Sequence, residues 1–318
     1  MDIDYEKLGK HINSIPTSIP IGLERSISKK LDKCGLFYRI FSRCKSPCST
    51  VEKLKSKEAE YEKMGKKMQD LIGVRIALYF KDDIDLCIEI IKNNYIVLEI
   101  VRDEERTDLF SPVRLNIVCK MPTEICDNFS EDLWYYPIDD TFEIQIRTVF
   151  SEGWHEIEHD FRYKRKADWD DLVGSSRNLN GIFATLETCD WAILNLLDQL
   201  AYQKYHTGKW EAMLRNHFRI RMDNSPLRGD IITLFDSNHT IAKDFLKVDR
   251  MKLLLYLSRP DFHSFPLNIN NLIFLTNELI IKDSYLSSIA PPKIIEKCSN
   301  ICENYEKLDS MSTNVVEI

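Results

Sequence analysis

Residues 142–163 read FEIQIRTVFSEGWHEIEHDFRY, and the pattern of the stretch changes partway along. Phe142, Ile144 and Ile146 alternate with Glu143, Gln145 and Arg147, which is the period of a strand with one apolar and one polar face. That alternation puts Glu143, Gln145 and Arg147 on the same side, where they can line a cleft. From Phe150 the spacing becomes helical, with Trp154, Ile157 and Phe161 on one face.

Working outward, Val74–Phe80 (VRIALYF) is a short run of β-formers, and Asp82-Asp83 are expected to cap a helix carrying Ile84, Cys87, Ile88 and Ile91. Residues 96–101 and 113–119 read as further strands, separated by the charged loop 102–108. The middle of the chain is therefore α plus β. Before it, the Ile15-Pro16 and Ile19-Pro20 steps are expected to break any early helix, leaving a short amphipathic one at Glu24–Lys33. Residues 53–67, dense in Lys and Glu, read as an exposed helix whose thin apolar edge is Val51, Leu54 and Tyr61. After it, Leu179, Ile182, Leu186, Ile193, Leu197 and Leu200 mark one long amphipathic helix that His206-Thr207-Gly208 ends. Shorter helical segments follow, punctuated by Pro226, Pro260 and Pro291-Pro292, and they carry no chemical motif. The expected division is an N-terminal helical lead-in (1–34), a catalytic α+β domain (35–170) and an all-helical C-terminal module (171–318) suited to regulation, homo-oligomerisation or recognition of a partner.

The chain has 318 residues, 44% apolar and 29% charged, which excludes collagen-like and disordered classes. A formal charge of -7 excludes a blanket nucleic-acid binder but not a local basic site. Nine cysteines, an odd number with no CxxC pair, favour a reducing compartment. No apolar run approaches a bilayer span, and the start MDIDYEKLGKHINS has no apolar leader, so a cytoplasmic protein with no membrane partner is expected.

Three clusters can carry chemistry together. In Arg43-Cys44-Lys45-Ser46-Pro47-Cys48-Ser49, Arg43 and Lys45 project to one side of an extended segment, and a hydroxyl at the next helix start adds a phosphate contact. In Asp70-Leu71-Ile72-Gly73-Val74-Arg75, a carboxylate at a strand entrance suits Mg²⁺, while Arg75 lies inside a run that should be buried and needs a partner. An Asp70–Arg75 ion pair tying loop to strand is the plain structural alternative. The third cluster is Glu143 to Thr148 with the downstream Trp154, Glu158, His159 and Tyr163.

The order Arg-x-Lys-Ser, Asp-x-x-Gly-x-Arg, then Glu-Ile-Gln-Ile-Arg-Thr with a downstream Trp-x-x-x-Glu-His resembles the synthetase domain of RelA/SpoT proteins, the bacterial alarmone synthetases, over about residues 35–165. The resemblance implies a nucleotidyltransferase-like mixed β-sheet flanked by helices, without the family's hydrolase half. It also implies transfer of pyrophosphate from ATP to the 3′-hydroxyl of GDP or GTP, giving a (p)ppGpp-type alarmone. Carried over residue by residue, Arg43 and Arg75 hold the adenine, Lys45 and Ser49 the ATP phosphates, and Asp70 the Mg²⁺. Glu143 becomes the base for the acceptor hydroxyl, with Arg114, Gln145, Arg147 and Glu152 on the acceptor side.

The sequence also departs from the family. Where guanine-using members carry a loop with a stacking tyrosine and a histidine, residues 111–116 (SPVRLN) place Pro112 and Asn116. Glu152, often Asn in small synthetases, can accept from the guanine edge. Other acceptors therefore stay open, namely an adenine nucleotide or the tRNA 3′-end, with Arg102, Arg106 and Arg114 available to an RNA backbone. Two readings lie outside the family's chemistry. His155-Glu156-Ile157-Glu158-His159 matches the zinc-protease pattern HExxH, with Glu187 as a third ligand. A synthetase domain that only senses nucleotides is the other.

Overall fold

The alternation at residues 142–147 is realised as the centre of a five-stranded mixed sheet in a computed structural model of the chain. The structure describes residues 3–57, 60–61, 65–103, 114–127, 129, 131–262 and 264–299. Contacts divide the chain into two units, Met1–Lys30 with Phe37–Trp191, and Leu31–Leu36 with Ala192–Ile318.

The first unit opens with helices α1 (Tyr5–Asn13) and α2 (Ser18–Lys33). The Ile15-Pro16 step falls in the break between them, as expected, whereas the Ile19-Pro20 step does not interrupt α2. Pro20 sits in the first turn of α2, where a missing N–H leaves no helical bond unmade. Then follow β1 (Tyr38–Cys44), α3 (Pro47–Ser56), β2 (Ile72–Leu78), α4 (Asp83–Lys92), β3 (Val97–Arg102), β4 (Leu115–Lys120), α5 (Thr123–Cys126), β5 (Thr141–Thr148), α6 (Val149–Glu158) and α7 (Val173–His206). Ser46 caps α3 by accepting from the Ser49 amide, and Pro47 opens it, so this helix starts ahead of the Lys/Glu run. Asp82 takes the N-cap position of α4 but its side chain makes no capping bond.

The strand order is β1-β2-β5-β4-β3, with β2 and β5 parallel and the other pairs antiparallel. Register sorts the side chains. Phe41 faces Arg75, Arg75 faces Gln145, and Gln145 faces Asn116, so these residues share one side of the sheet. Arg43, Gly73, Glu143 and Val118 share the same side one step further along. The opposite side carries Ile72, Val74, Ile76, Phe142, Ile144, Ile146, Ile117 and Cys119, all buried. Each such aliphatic or aromatic side chain removed from water contributes roughly 1.5–3 kcal/mol, which fixes the register and, with it, the polar face.

α6 is attached to α7 by its tryptophan. Trp154 is buried, its Nε1 donates to the Leu179 carbonyl at 2.9 Å, and its ring lies 5.0 Å from that of Phe183. A second tie joins Thr148, whose hydroxyl forms the capping box of α6 with Ser151 and donates to Asp190 Oδ2 at 2.8 Å. Burial pushes the Asp190 carboxyl up to about 6, against the Thr148 hydrogen bond and Lys81, and with Glu187 adding to the rise. The folded chain therefore binds this proton more tightly than the unfolded chain, whose group keeps the ordinary 3.8. That stabilisation is complete below the unfolded value and is lost as pH rises through about 6. Asp190→Asn should flatten the pH dependence of the melting temperature across this window without lowering it at pH near 7; an unchanged slope would assign the titration elsewhere.

The second unit is helical. After α7 come α8 (Trp210–Phe218), α9 (Gly229–Ser237), α10 (His239–Leu246), α11 (Arg250–Leu257), α12 (Ile269–Thr276) and α13 (Ser284–Ile289). α7 ends as its sequence predicts, with Gly208 at φ +63 and the Lys209 amide reaching back to the Lys204 carbonyl at 2.9 Å. Phe218, Phe235, Phe245, Leu254 and Ile273 form the core, and buried Arg250 donates from Nε to the Phe218 carbonyl at 2.6 Å. Residues 31–36 join this unit because Gly35, at φ +67, lets its carbonyl accept from the Arg221 amide at 2.7 Å. A Cβ there would lie 3.0 Å from the Arg221 carbonyl oxygen. Among the described residues no helix is long and apolar enough to cross a membrane.

Candidate active site

Asp70 and Glu143 are brought together by the backbone that precedes each of them. Met68 bridges Ile138, with its amide donating to the Pro137 carbonyl at 2.8 Å, and the buried Thr141 hydroxyl donates to the Gln69 carbonyl at 3.0 Å. Parallel pairing of Gly73 with Glu143 completes the alignment. Both carboxylates line one cleft of about 300 Å³, together with Lys53, Lys57, Lys66, Lys67, Arg114 and Asn116.

The two carboxyls are shifted in opposite directions. Burial pushes Asp70 up, but hydrogen bonds from Lys45 Nζ at 2.7 Å and Lys53 Nζ at 2.8 Å outweigh it and hold Asp70 below the usual carboxylate range. Burial also pushes Glu143 up, and here the nearby Asp70 charge adds to it, so Glu143 stays above its ordinary value despite Gln145, Lys53 and Lys45. Two acids in one cleft, one held ionised and one raised, is the division of labour that acid–base chemistry needs. Glu143 also accepts from the Asn116 side-chain amide.

The residues present fit a divalent cation. Asp70 is held below the usual carboxylate range, and among the described residues its buried Oδ1 has no hydrogen-bond partner, which leaves one carboxylate oxygen uncommitted. Mg²⁺ is typically held by one or two carboxylates plus substrate phosphates.

Lys45 is held beside Asp70 because its amide donates to the Leu71 carbonyl at 2.8 Å. Ser49 lies in the first turn of α3 and accepts from the Ser46 hydroxyl at 3.0 Å. Arg43 is exposed on β1, on the face shared with Glu143. Lys53, missed in the sequence reading, lies one turn after Ser49 on α3; the i, i+4 spacing of Ser49 and Lys53 was the available signal.

Further along the sheet, Arg75 and Arg147 share Glu152. Arg75 Nη1 donates to Glu152 Oε1 at 2.6 Å, and Arg147 Nη1 to Glu152 Oε2 at 2.9 Å. Arg75 also pairs with Glu156 and donates from Nε to Gln145 Oε1 at 3.3 Å. The alternative Asp70–Arg75 ion pair does not form, because both partners are already taken: Asp70 by lysines and Arg75 by α6 glutamates. Of the acceptor-side residues, Gln145, Arg147 and Glu152 thus gather around Arg75, whereas Arg114 lines the Asp70–Glu143 cleft and pairs with Asp103 at 3.0 Å. Arg102 pairs with Asp85 at 3.0 Å. Arg106 and Pro112 lie outside the described residues.

The HExxH residues make a different arrangement from a zinc site. The His159 amide reaches the His155 carbonyl, so the two histidines stand one helical turn apart, but their rings are engaged elsewhere. His155 rests against the Trp154 and Phe183 rings and is pushed down to about 3 by burial and by Arg147 and Arg75, cations that also repel a metal ion. His159 instead bonds Asp160 and stacks on Tyr163, while Glu187 pairs with Lys81 at 2.8 Å. Among the described residues no group of three His, Cys, Asp or Glu side chains is placed to hold a metal.

The site thus lies on a mixed sheet flanked by helices, whose polar face presents two carboxylates with lysines at one end and arginines further along. Residues 42–168 match the family model described as a region found in RelA/SpoT proteins. All ten predicted site residues fall inside it. No curated protein matches the chain. Among solved structures it is similar to small alarmone synthetase 1 from Bacillus subtilis, at 20% identity over 61% of this chain and 96% of that one, with a TM-score of 0.44. It is also similar to a GTP pyrophosphokinase family protein from Streptococcus pneumoniae, at 21% identity over 60% and 92%, with a TM-score of 0.42. A third is the Bacillus subtilis small alarmone synthetase 1 bound to its product pppGpp, at 20% identity over 60% and 94%, with a TM-score of 0.41.

Proposed function

We propose that the chain is an ATP-dependent pyrophosphokinase that transfers the β,γ-diphosphate of ATP to the 3′-hydroxyl of a guanine nucleotide, GDP or GTP. The observation that carries the reading is the pairing, in one lysine-lined cleft of a RelA/SpoT region, of an ionised Asp70 with a Glu143 whose pKa is raised.

In this mechanism Glu143 takes the proton of the acceptor 3′-hydroxyl as its oxygen attacks the β-phosphorus of ATP. The bond from that phosphorus to the α,β-bridging oxygen breaks, and AMP leaves. Lys45 and Lys53 turn from Asp70 to the phosphoryl oxygens, where negative charge develops. Mg²⁺, held by Asp70 and substrate phosphates, would supply charge neutralisation. Arg43 and Arg75 bind the adenine end; Arg43 lies level with Glu143 across β2, and Arg75 two residues further up the sheet.

One feature favours a second acceptor within the same chemistry. Pro112 takes the place of the stacking tyrosine, and Lys57, Lys66, Lys67 and Arg114 on the cleft wall suit a longer polyanion such as the tRNA 3′-end as well as a nucleotide diphosphate. Incubation with γ-labelled ATP and, separately, GDP, GTP, ADP, ATP or bulk tRNA separates these outcomes. The expected result is AMP release matched by label in GDP or GTP; label recovered only as orthophosphate, with no AMP, would refute pyrophosphate transfer.

A further inference from the structure

The polar phase of β1 contains a residue that packing does not explain. Arg39 and Arg43 occupy the exposed positions of an alternating strand, as an edge strand on a solvated face requires, yet Phe41 between them is 55% exposed. A phenyl ring in that phase buries little and shows an apolar face to water. It stands directly across from Arg75 and two residues from Arg43, on the side of the sheet that carries Glu143. Arg75 itself is committed to Glu152, Glu156 and Gln145, which fixes its guanidinium and limits how freely it can cover a base.

Distance along the strand supports a ligand role. Lys45, at the phosphate end, is four residues from Phe41, about 13 Å at the rise of an extended strand. That is the span of an extended nucleoside triphosphate from base to terminal phosphates. With Lys45, Lys53 and Asp70 at one end, an aromatic plane flanked by Arg43 and Arg75 lies where the base of such a molecule falls.

We infer that Phe41 is a stacking platform for the purine base of the donor nucleotide, completing a subsite whose other walls are Arg43 and Arg75. The inference rests on the proposed ATP donor but not on the identity of the acceptor. Aromatic–base stacking is insensitive to which hydrogen-bonding edge the base carries, so the subsite sets donor affinity while the lysines set position.

Calorimetric binding of a non-hydrolysable ATP analogue to the full chain tests it. Phe41→Ala should weaken that binding roughly 5- to 150-fold, the range that loss of one base–aromatic stack produces. Binding of inorganic tripolyphosphate, which has no base, should be unchanged. Phe41→Trp should keep the affinity, and its fluorescence should be quenched by the ATP analogue but not by tripolyphosphate. Equal weakening of both ligands, or no change in either, overturns the inference. Because these readouts are of binding, they stand apart from the proposed reaction: a chain that transfers no pyrophosphate can still show the base-dependent loss, and an active chain with unaltered Phe41→Ala binding refutes the platform alone.

Discussion

Glu143→Gln should lower kcat by roughly 10²- to 10⁴-fold, the range that general-base removal typically costs, while leaving the fold and the affinity for ATP in place. The substitution is nearly isosteric and keeps an oxygen for the Asn116 amide, so the sheet register has no reason to change. The wild-type rate should also carry a signature of the raised pKa. A base works only when deprotonated, and burial and the Asp70 charge hold Glu143 above the ordinary carboxylate value. Activity should therefore fall as pH drops through that raised value, on a limb above the range of an exposed glutamate, and the limb should vanish in the variant. Retention of a tenth or more of wild-type kcat, with the acid limb intact, would remove Glu143 from the reaction. Asp70→Asn serves as the companion, since it should abolish activation by Mg²⁺ and leave Lys45 and Lys53 without their shared anion.

These two residues also show what a linear sequence can and cannot disclose. The strand containing Glu143 was legible because its apolar phase is complete, Phe142, Ile144 and Ile146 all being buried. The strand after Asp70 was legible for the same reason. Their convergence was implied only by the family resemblance, because it depends on parallel pairing of β2 with β5 across two intervening helices and two strands, a long-range choice with no local signal. Local propensity misled at the N-terminus, where Pro20 marks a helix start instead of an interruption. Lys53 was hidden among the lysines and glutamates that follow α3's first turn; its i, i+4 spacing from Ser49 was the one local cue, and its meeting with Asp70 is what singles it out. Partners for Arg75 were equally hidden: the nearest carboxylate along the chain is Asp70, but tertiary packing supplies Glu152 and Glu156 from α6. The assignment of residues 31–36 to the helical unit follows from one left-handed glycine and a backbone hydrogen bond, which composition does not announce.

Glu152 gives the second large effect, and it separates two roles for the same carboxylate. Both of its oxygens are occupied, one by Arg75 and one by Arg147, and the three side chains are only 12–23% exposed. Removing one partner from such a group leaves buried guanidinium charge uncompensated, which typically costs 3–5 kcal/mol. Glu156 still neutralises part of Arg75, so Glu152→Ala should lose about 3 kcal/mol, the low end of that range. For a unit of this size that corresponds to a fall of roughly 6–12 °C in melting temperature. The parallel measurement is acceptor preference, the ratio of kcat/KM for GDP over ADP, in Glu152→Gln. If the carboxylate is an anchor for the two arginines, the ratio holds while stability falls and the KM for ATP rises through the loosened Arg75. A carboxylate that instead turns to the acceptor base would give the reverse, an altered ratio with an unchanged melting temperature. The anchoring role follows from electrostatics alone: an anion between two guanidinium groups in a half-buried site is held there more strongly than by one neutral base edge, so the first pattern is the expected one.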